Sequence, residues 1–324
     1  MKVGVGLSGG VDSAVTAVLL KEAGHEVVGY TMTLGRADEA ASLAAAESVA
    51  GQLGLPLVVC DFASEWRAQV LDYVRAAYLA GETPNPCVRC NERVKFNLLP
   101  ARAFADGCDR FATGHYARIV DGRLCRAVDR AKDQSYFLYR VDPAVLARTL
   151  FPLGELTKTE VRDIARARGF AVADRGDSQD FCGGDPQSVV GEAAREGAVV
   201  TTDGRVVGRH NGFWKYTVGQ RRGLGIGGGT PYYVVRLDAA RNEVVVAFRE
   251  AAVRTDLPLR DTVGEVDLTL PVKVRSAGEP RNLADGILGV APGQSAVFYR
   301  GDRVAGGGII ARPNAAAGER GALR

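Results

Sequence analysis

No stretch of this 324-residue chain reaches the roughly 18 uninterrupted apolar residues that a membrane-spanning helix needs, so no membrane association is expected. The amino terminus begins with Lys2 and a mostly apolar run. Ser8, Gly9, Gly10 and Asp12 interrupt it and no cleavage-like site follows, which argues against a secretory leader and for a cytoplasmic protein. Excess charge of one sign is also missing. Lys and Arg number 41 against 38 Asp and Glu, a net +3, so an anionic partner must be met by a local patch and not by a global field. No internal repeat is found. The G-x-x-x-x-G-K-[ST] phosphate motif is absent, which disfavours a P-loop kinase or GTPase. A second C-x-x-C is lacking as well, so a four-cysteine zinc ribbon is not available.

Apolar residues make up 46% and charged residues 24%, the composition of a globular chain with enough apolar surface to offset its conformational entropy. The length predicts two to three domains at about 100–200 residues each. Forty glycines imply many tight turns or close backbone approaches. Strands are expected at Lys2–Leu7, Glu26–Tyr30, Pro56–Cys60 and Arg110–Thr113. Helices are expected at Val11–Glu22, Asp38–Gln52, Trp66–Ala80 and Asn91–Ala105. This alternation predicts an α/β fold with a doubly wound parallel sheet over residues 1–150.

Residues 151–248 read as a small mixed domain. It contains a capped helix at Thr157–Arg168 stopped by Gly169, a short helix at Gln187–Glu196, and an irregular Gly-rich segment at Gly223–Thr230. Short strands at Tyr232–Leu237, Glu243–Ala247, Val263–Leu268, Val272–Arg275, Ser295–Tyr299 and Arg303–Ile310 predict a β-barrel or sandwich, with a carboxyl-terminal domain over 249–324.

The sharpest local signal is Ser8-Gly9-Gly10-Val11-Asp12-Ser13 between the first strand and the first helix. Glycines let backbone N–H groups close on an anion, and the helix amino terminus adds partial positive charge. The Ser8 and Ser13 hydroxyls can donate to phosphate oxygens, while Asp12 is placed to cap the helix or hold a metal ion. The hexapeptide resembles the PP-loop of ATP pyrophosphatases, which cleave ATP between the α- and β-phosphates.

Of six cysteines, Cys87 and Cys90 form a C-x-x-C in Thr83-Pro84-Asn85-Pro86-Cys87-Val88-Arg89-Cys90-Asn91. The two prolines predict a loop there. The spacing fits half a zinc site, a redox dithiol, or a cluster or sulfur-transfer site. Cys182 stands in Asp177-Ser178-Gln179-Asp180-Phe181-Cys182-Gly183-Gly184, a segment that reads as a loop suited to a thiol that must move. Cys60 ends a buried strand and reads as core, and Cys108 and Cys125 read as structural.

Taken together, the motifs resemble those of the tRNA-specific 2-thiouridylases, over nearly the whole chain. They are SGGVDS (8–13), TPNPCVRCN (83–91), VKF (94–96), ATGHYAR (112–118), KDQSYFL (132–138), FPLGELTKTEVR (151–162), DSQDFC (177–182), TVGQRRGLGI (217–226) and APGQSAVFY (291–299). The resemblance implies an enzyme that adenylates the C2 oxygen of the wobble uridine with ATP and Mg²⁺ and then delivers sulfur. By that resemblance Gly6, Leu7, Ser8, Gly9, Gly10, Val11, Asp12 and Ser13 form the ATP loop, Met32 covers the adenine and Gly114 contacts ATP. Asn85, Pro86, Cys87, His115, Lys132, Asp133, Gln134 and Gln294 correspond to tRNA contacts. Cys90 and Cys182 correspond to the catalytic cysteines.

The sequence departs from the family pattern in several places. Cys87 replaces an Asp found in many members, the stretch after Met32 is short, and an Arg-Tyr pair appears as Arg275-Ser276. The segment 276–291 is shortened, and Phe181-Cys182-Gly183-Gly184 differs from the commoner sequence.

Two sulfur routes stay open. In one, Cys182 carries a persulfide and the Cys90 thiolate resolves the disulfide. In the other, Cys87, Cys90 and Cys182 hold a four-iron four-sulfur cluster. The expected partners are the tRNA anticodon stem-loop, whose base must flip out, and a sulfur donor protein or sulfide. The chain itself is expected to be a monomer. Arg89, Arg93, Lys95, Arg118, Lys132, Lys215, Arg221 and Arg222 are candidate phosphate contacts. The rival class is an amide-forming PP-loop ligase of the GMP, NAD or argininosuccinate synthetase type, which shares the loop but has no need of paired cysteines.

Overall fold

The computed structural model describes residues 1–37, 39–170, 189–191, 195–227 and 229–313. Two compact units are distinguished. One comprises Met1–Tyr73, Pro86–Cys182 and Gly301–Val304, and the other Val74–Asn85, Gly183–Arg300 and Ala305–Arg324.

In the first unit β1 (Lys2–Gly6), α1 (Val11–Glu22), β2 (Glu26–Thr33), α2 (Glu39–Leu53) and β3 (Leu57–Asp61) alternate as expected. Helix α1 ends where Gly24 takes φ +78, with its N–H donating to the Lys21 carbonyl at 3.0 Å. The chain continues through α3 (Ala63–Trp66), a π-helical turn at Arg67–Leu71 and α4 (Asp72–Leu79), which runs on into the second unit. Next come α5 (Pro86–Cys90), a second π-helical turn at Asn91–Lys95, α6 (Leu98–Ala105) and β4 (Arg110–Ala112). The hairpin β5 (Ala117–Val120) and β6 (Arg123–Arg126) follows, then α7 (Pro143–Leu146), β7 (Thr149–Leu150) and α8 (Lys158–Ala167).

Five strands form a parallel sheet in the order β3-β2-β1-β4-β7. Its faces are covered differently. Val3, Val5 and Leu7 pack with Ala14, Val15 and Val18 of α1 and Val161 and Ala165 of α8. Tyr30 and Phe111 pack with Leu99 and Ala103 of α6. Gly4 permits that second contact, since a Cβ there would stand 2.8 Å from the Ala103 Cβ. The strand order reverses between β1 and β4, and in open parallel sheets ligands bind outside the carboxyl ends at such a point. The carboxyl end of β1 leads into Ser8–Ser13, and that of β4 into Thr113–Tyr116.

The expected loop around the two cysteines is a helix. Pro86 stands at the first position of α5, where its missing N–H is no loss and its fixed φ suits the helix. Cys87 and Cys90 are therefore three residues apart on one turn. The single helices expected at Trp66–Ala80 and Asn91–Ala105 are each broken by a π-helical turn.

In the second unit β8 (Gly197–Thr201), β9 (Val206–His210), β10 (Tyr233–Asp238) and β11 (Glu243–Ala247) form a sheet in the order β10-β11-β8-β9, around Val199, Trp214, Val234, Val244 and Val246. The pairs β12 (Val253–Arg254) and β15 (Ile287–Leu288), and β14 (Val272–Lys273) and β16 (Ser295–Arg300), are antiparallel. β13 (Leu259–Gly264) pairs antiparallel with β17 (Arg303–Ile310). Leu270, Val272, Leu283, Ala296, Phe298 and Ile310 fill this β-barrel core. The strand expected at 263–268 lies four residues earlier, because Gly264 at φ +67 ends it, and the strand expected at 272–275 stops at Lys273. Of the expected helix Gln187–Glu196, half lies outside the described residues, and of the rest Val189 and Val190 are helical.

Two glycine substitutions test this packing. Gly154→Ala would place its Cβ 2.0 Å from the Ala117 carbonyl oxygen, a backbone clash, and is expected to destabilise the chain by about 3 kcal/mol in urea melts. Gly51→Ala within α2 meets nothing within 4 Å and is expected to stabilise it by about 0.5–1 kcal/mol.

Candidate nucleotide and sulfur-transfer site

Helix α1 starts behind the glycine-rich loop with Gly10 as its N-cap, and no side chain among the described residues bonds its first amides. Those N–H groups and the helix dipole are left to whatever anion occupies the loop. Gly9, at φ +74, lies against α2, where a Cβ would fall 2.5 Å from that of Ala45. Ser8 is exposed, but Ser13 is spent on the loop itself. Its hydroxyl donates to the Gly10 carbonyl at 3.0 Å and accepts from the Ser8 N–H at 3.2 Å. Leu7 donates its N–H to the Tyr30 carbonyl at 2.7 Å.

Asp12 does not cap the helix. Its Oδ1 accepts from Lys158 Nζ at 2.7 Å and from the Tyr116 hydroxyl at 2.9 Å, and its Oδ2 accepts from Lys158 Nζ at 2.9 Å. Neither Lys158 nor Tyr116 was among the expected site residues, although both stand inside the quoted motifs. Magnesium is held by one or two carboxylates together with substrate phosphates. Asp12 fits that use as the carboxylate of the loop, provided the ion displaces the Lys158 ammonium.

Gly114 backs directly onto this turn, where a Cβ would lie 2.8 Å from the Asp12 carbonyl carbon. Gln134 fastens the same segment. Its Oε1 accepts from the Tyr116 N–H at 2.9 Å, and its own N–H donates to the Tyr116 carbonyl at 2.8 Å. Met32, at the end of β2, is half-buried against the Tyr30–Phe111 cluster. Beyond it a cleft of about 300 Å³ is lined by Leu34, Gly35, Ala63, Trp66 and Arg67.

Several residues expected to meet tRNA or its phosphates are engaged within the protein. Asp133 turns inward, with its side chain 1% exposed. Its carboxylate accepts from the Ala127 and Ser135 N–H groups at 3.1 Å, the Ser135 hydroxyl at 3.1 Å and Arg126 Nε at 3.4 Å, so it is a structural hub. Lys132 beside it is half-buried. Arg118 is held by Asp302 at 2.9 Å and by the Arg126 carbonyl at 2.6 Å, and Arg89 by the Gln69 carbonyl at 3.0 Å and the Tyr73 ring. Both guanidinium groups are thus engaged within the protein. Arg93, Arg221 and Arg222 are exposed, whereas Lys95 and Lys215 are half-buried.

Cys90 is buried and Cys87 half-buried on α5. Cys182 lies outside the described residues. Cys60, Cys108 and Cys125 are buried, and burial pushes the Cys60 and Cys125 thiols up, which suits structural residues. Within the second unit, the segment leading to α5 is tied down. Gln294 Nε2 donates to the Pro84 carbonyl at 3.2 Å, and the Thr83 N–H to the Pro292 carbonyl at 2.8 Å. Asn85 is half-buried beside them.

Comparison with known proteins resolves the family. Residues 1–183 match the family described as tRNA methyl transferase HUP domain, 188–248 its PRC-barrel domain, and 282–310 an aminomethyltransferase beta-barrel domain. A tRNA-specific 2-thiouridylase of Chloroflexus aurantiacus is 45% identical, covering 96% of this chain and 99% of the relative. One from Rhodospirillum centenum is 44% identical over 97% and 92%, and one from Endomicrobium trichonymphae 39% over 96% and 99%. The chain belongs to the tRNA-specific 2-thiouridylase family.

His115 in this 2-thiouridylase is a neutral residue. The half-buried imidazole exchanges a hydrogen bond with the Thr113 hydroxyl at 2.8 Å, and its ring sits 5.3 Å from Phe96 and 6.4 Å from Phe151. Burial, and then the charge of Lys95, pushes its pKa down to about 3. Burial therefore favours the uncharged ring. Between the ordinary value of 6.5 and about 3 the unfolded chain takes up a proton that the folded chain refuses, so stability falls as pH falls through that window. His115→Asn, which keeps a polar group near Thr113, is expected to lose less of its urea midpoint between pH 7 and pH 5 than the parent chain does. An equal loss in both would show that His115 does not carry this sensitivity.

Proposed function

We propose that this chain is a tRNA-uridine 2-sulfurtransferase. It transfers AMP from ATP to the C2 oxygen of the wobble uridine, then replaces that oxygen with sulfur, giving 2-thiouridine, AMP and pyrophosphate. The observation that carries the reading is the uncapped amino terminus of α1 behind SGGVDS, in a chain that also presents Cys87 and Cys90 on one helical turn. The first suits cleavage of ATP, and the second gives the activated carbonyl a sulfur chemistry that amide-forming PP-loop ligases do not require.

The family uses ATP, with Mg²⁺ as its companion ion. The loop amides of residues 8–13 would receive the phosphates, Asp12 the magnesium, and Gly114 and Met32 the rest of the nucleotide. The anticodon stem-loop would be met by Asn85, Pro86, Cys87, His115, Lys132, Gln134 and Gln294, without the inward-facing Asp133 carboxylate. We assign adenylation to residues 1–150, the Cys182 segment to a central domain over 151–248, and a further RNA-facing barrel to 249–324. No helix among the described residues is long and apolar enough to cross a membrane. A cytoplasmic monomer receiving sulfur from a donor protein or sulfide is the arrangement proposed.

For the sulfur step, Cys87 and Cys90 fit two ligands of an iron–sulfur cluster, being soft thiolates one helical turn apart. No group of three candidate metal ligands is assembled among the described residues. The cluster reading therefore depends on Cys182 joining the pair. When bound, such a cluster would supply an open iron to hold sulfide.

Pyrophosphate release is expected to depend on tRNA, and 2-thiouridine on Cys90. Cys90→Ser should still release pyrophosphate with tRNA while forming no thiouridine. Release without tRNA would instead favour the ligase class. Protein purified without oxygen should carry about four irons per chain, lost in Cys87→Ser. Full activity of Cys87→Ser with no iron would return the sulfur to a Cys182 persulfide.

A further inference from the structure

Lys158 is the cation that stands against the phosphate loop. Its side chain is 11% exposed, and its Nζ contacts both Asp12 oxygens, 2.7 and 2.9 Å away. The ammonium also lies 5.7 Å from the Tyr116 ring centroid. Its backbone is fixed as firmly as its side chain. Thr157 and Glu160 form a reciprocal capping box, and the Lys158 N–H donates to Asp129 Oδ2 at 3.0 Å.

The placement is electrostatically costly. Lys158 is the first residue of α8, where the helix dipole disfavours a cation, and Asp12 lies in the first turn of α1. One ammonium thus shares a corner with two positive helix ends and the Asp12 carboxylate. As a purely structural ion pair this arrangement gives little net stability, because desolvation offsets most of the attraction. It is well suited to an incoming polyanion, which satisfies the ammonium together with the open amino end of α1.

We propose that Lys158 is a phosphate ligand of the adenylation site, with Asp12 as its counter-ion while no nucleotide is bound. This rests on the ATP-cleaving reading above. As ATP enters, the ammonium passes from the carboxylate to the polyphosphate, and Asp12 becomes available to magnesium. In the reaction the uridine oxygen forms a bond to the α-phosphorus, and the bond from that phosphorus to the bridging oxygen breaks. Pyrophosphate leaves with the electron pair, its new charge facing the Lys158 side chain.

The test uses the full chain, with ATP and inorganic pyrophosphate as probes in calorimetry and tRNA-dependent pyrophosphate release as the rate. Lys158→Gln is expected to bind pyrophosphate at least about tenfold more weakly and to release it about 100-fold more slowly at saturating ATP. Because that variant strands the Asp12 carboxylate, the double variant Asp12→Asn with Lys158→Gln is measured beside it. The double variant should recover the parent's melting temperature without recovering pyrophosphate affinity, and Lys158→Arg should retain part of that affinity. A folded Lys158→Gln or double variant that binds pyrophosphate within twofold of the parent would overturn the assignment. A parent chain that binds neither ATP nor pyrophosphate would overturn the functional reading itself, and this proposal with it.

Discussion

A helix whose first amides have no side-chain cap must find another acceptor, and in α1 that requirement organises the nucleotide site. The residues able to cap it are turned to other tasks. Ser13 stitches the loop together, and Asp12 is drawn away by Lys158 and Tyr116. What keeps the loop open is therefore a set of distant positions. Tyr116 is held by Gln134, Lys158 by its capping box and Asp129, and the Gly114 backbone fills the space behind Asp12. Each comes from a segment that follows a carboxyl end of the parallel sheet or packs on its α1 face.

This explains which parts of the site were legible in the sequence. The glycines and serines of 8–13 carry their meaning locally, because backbone freedom and helix position suffice to define an anion cradle. Lys158 and Tyr116 carry theirs only through contacts across 146 and 104 residues, and no periodicity or spacing announces such a pair. Asp133 shows the converse. The family resemblance implied a tRNA contact for it, but a carboxylate that can collect two backbone N–H groups, a hydroxyl and a guanidinium is also a good internal hub.

The fold shows the same division. Elements with a dense apolar run, such as Lys2–Gly6 and Val11–Glu22, stand where that run places them. The hairpins β5–β6 and β8–β9 were not expected, yet each turns on an Asp-Gly pair, Asp121-Gly122 and Asp203-Gly204, and Gly122 and Gly204 take positive φ. That signal was present in the sequence. The helix at Pro86–Cys90 was hidden for a different reason. Proline reads as a breaker inside a helix but as a starter at its first position, and only the direction of the following chain decides between them. The π-helical turns at Arg67–Leu71 and Asn91–Lys95 likewise depend on tertiary packing.

The segment that leads to the cysteine helix is held from within the second unit. Within the second unit Glu82 is buried, and Arg260 grips its carboxylate through two bonds at 2.8 and 2.6 Å, with Arg312 Nε at 3.6 Å. Gly293 allows the turn Pro292-Gly293-Gln294 to press on this segment, since a Cβ there would lie 2.9 Å from that of Glu82. The Glu82 carboxylate is buried while the Arg260 side chain is 39% exposed, so the contact serves to fix the segment, and deleting the arginine would strand a buried charge. The clamped segment runs from Glu82 to Asn85, and the next residue is Pro86, which opens α5. A loop ordered before its ligand arrives has less conformational entropy to lose on binding. Within the second unit, the four residues that lead into Pro86 are thereby fixed before anything binds.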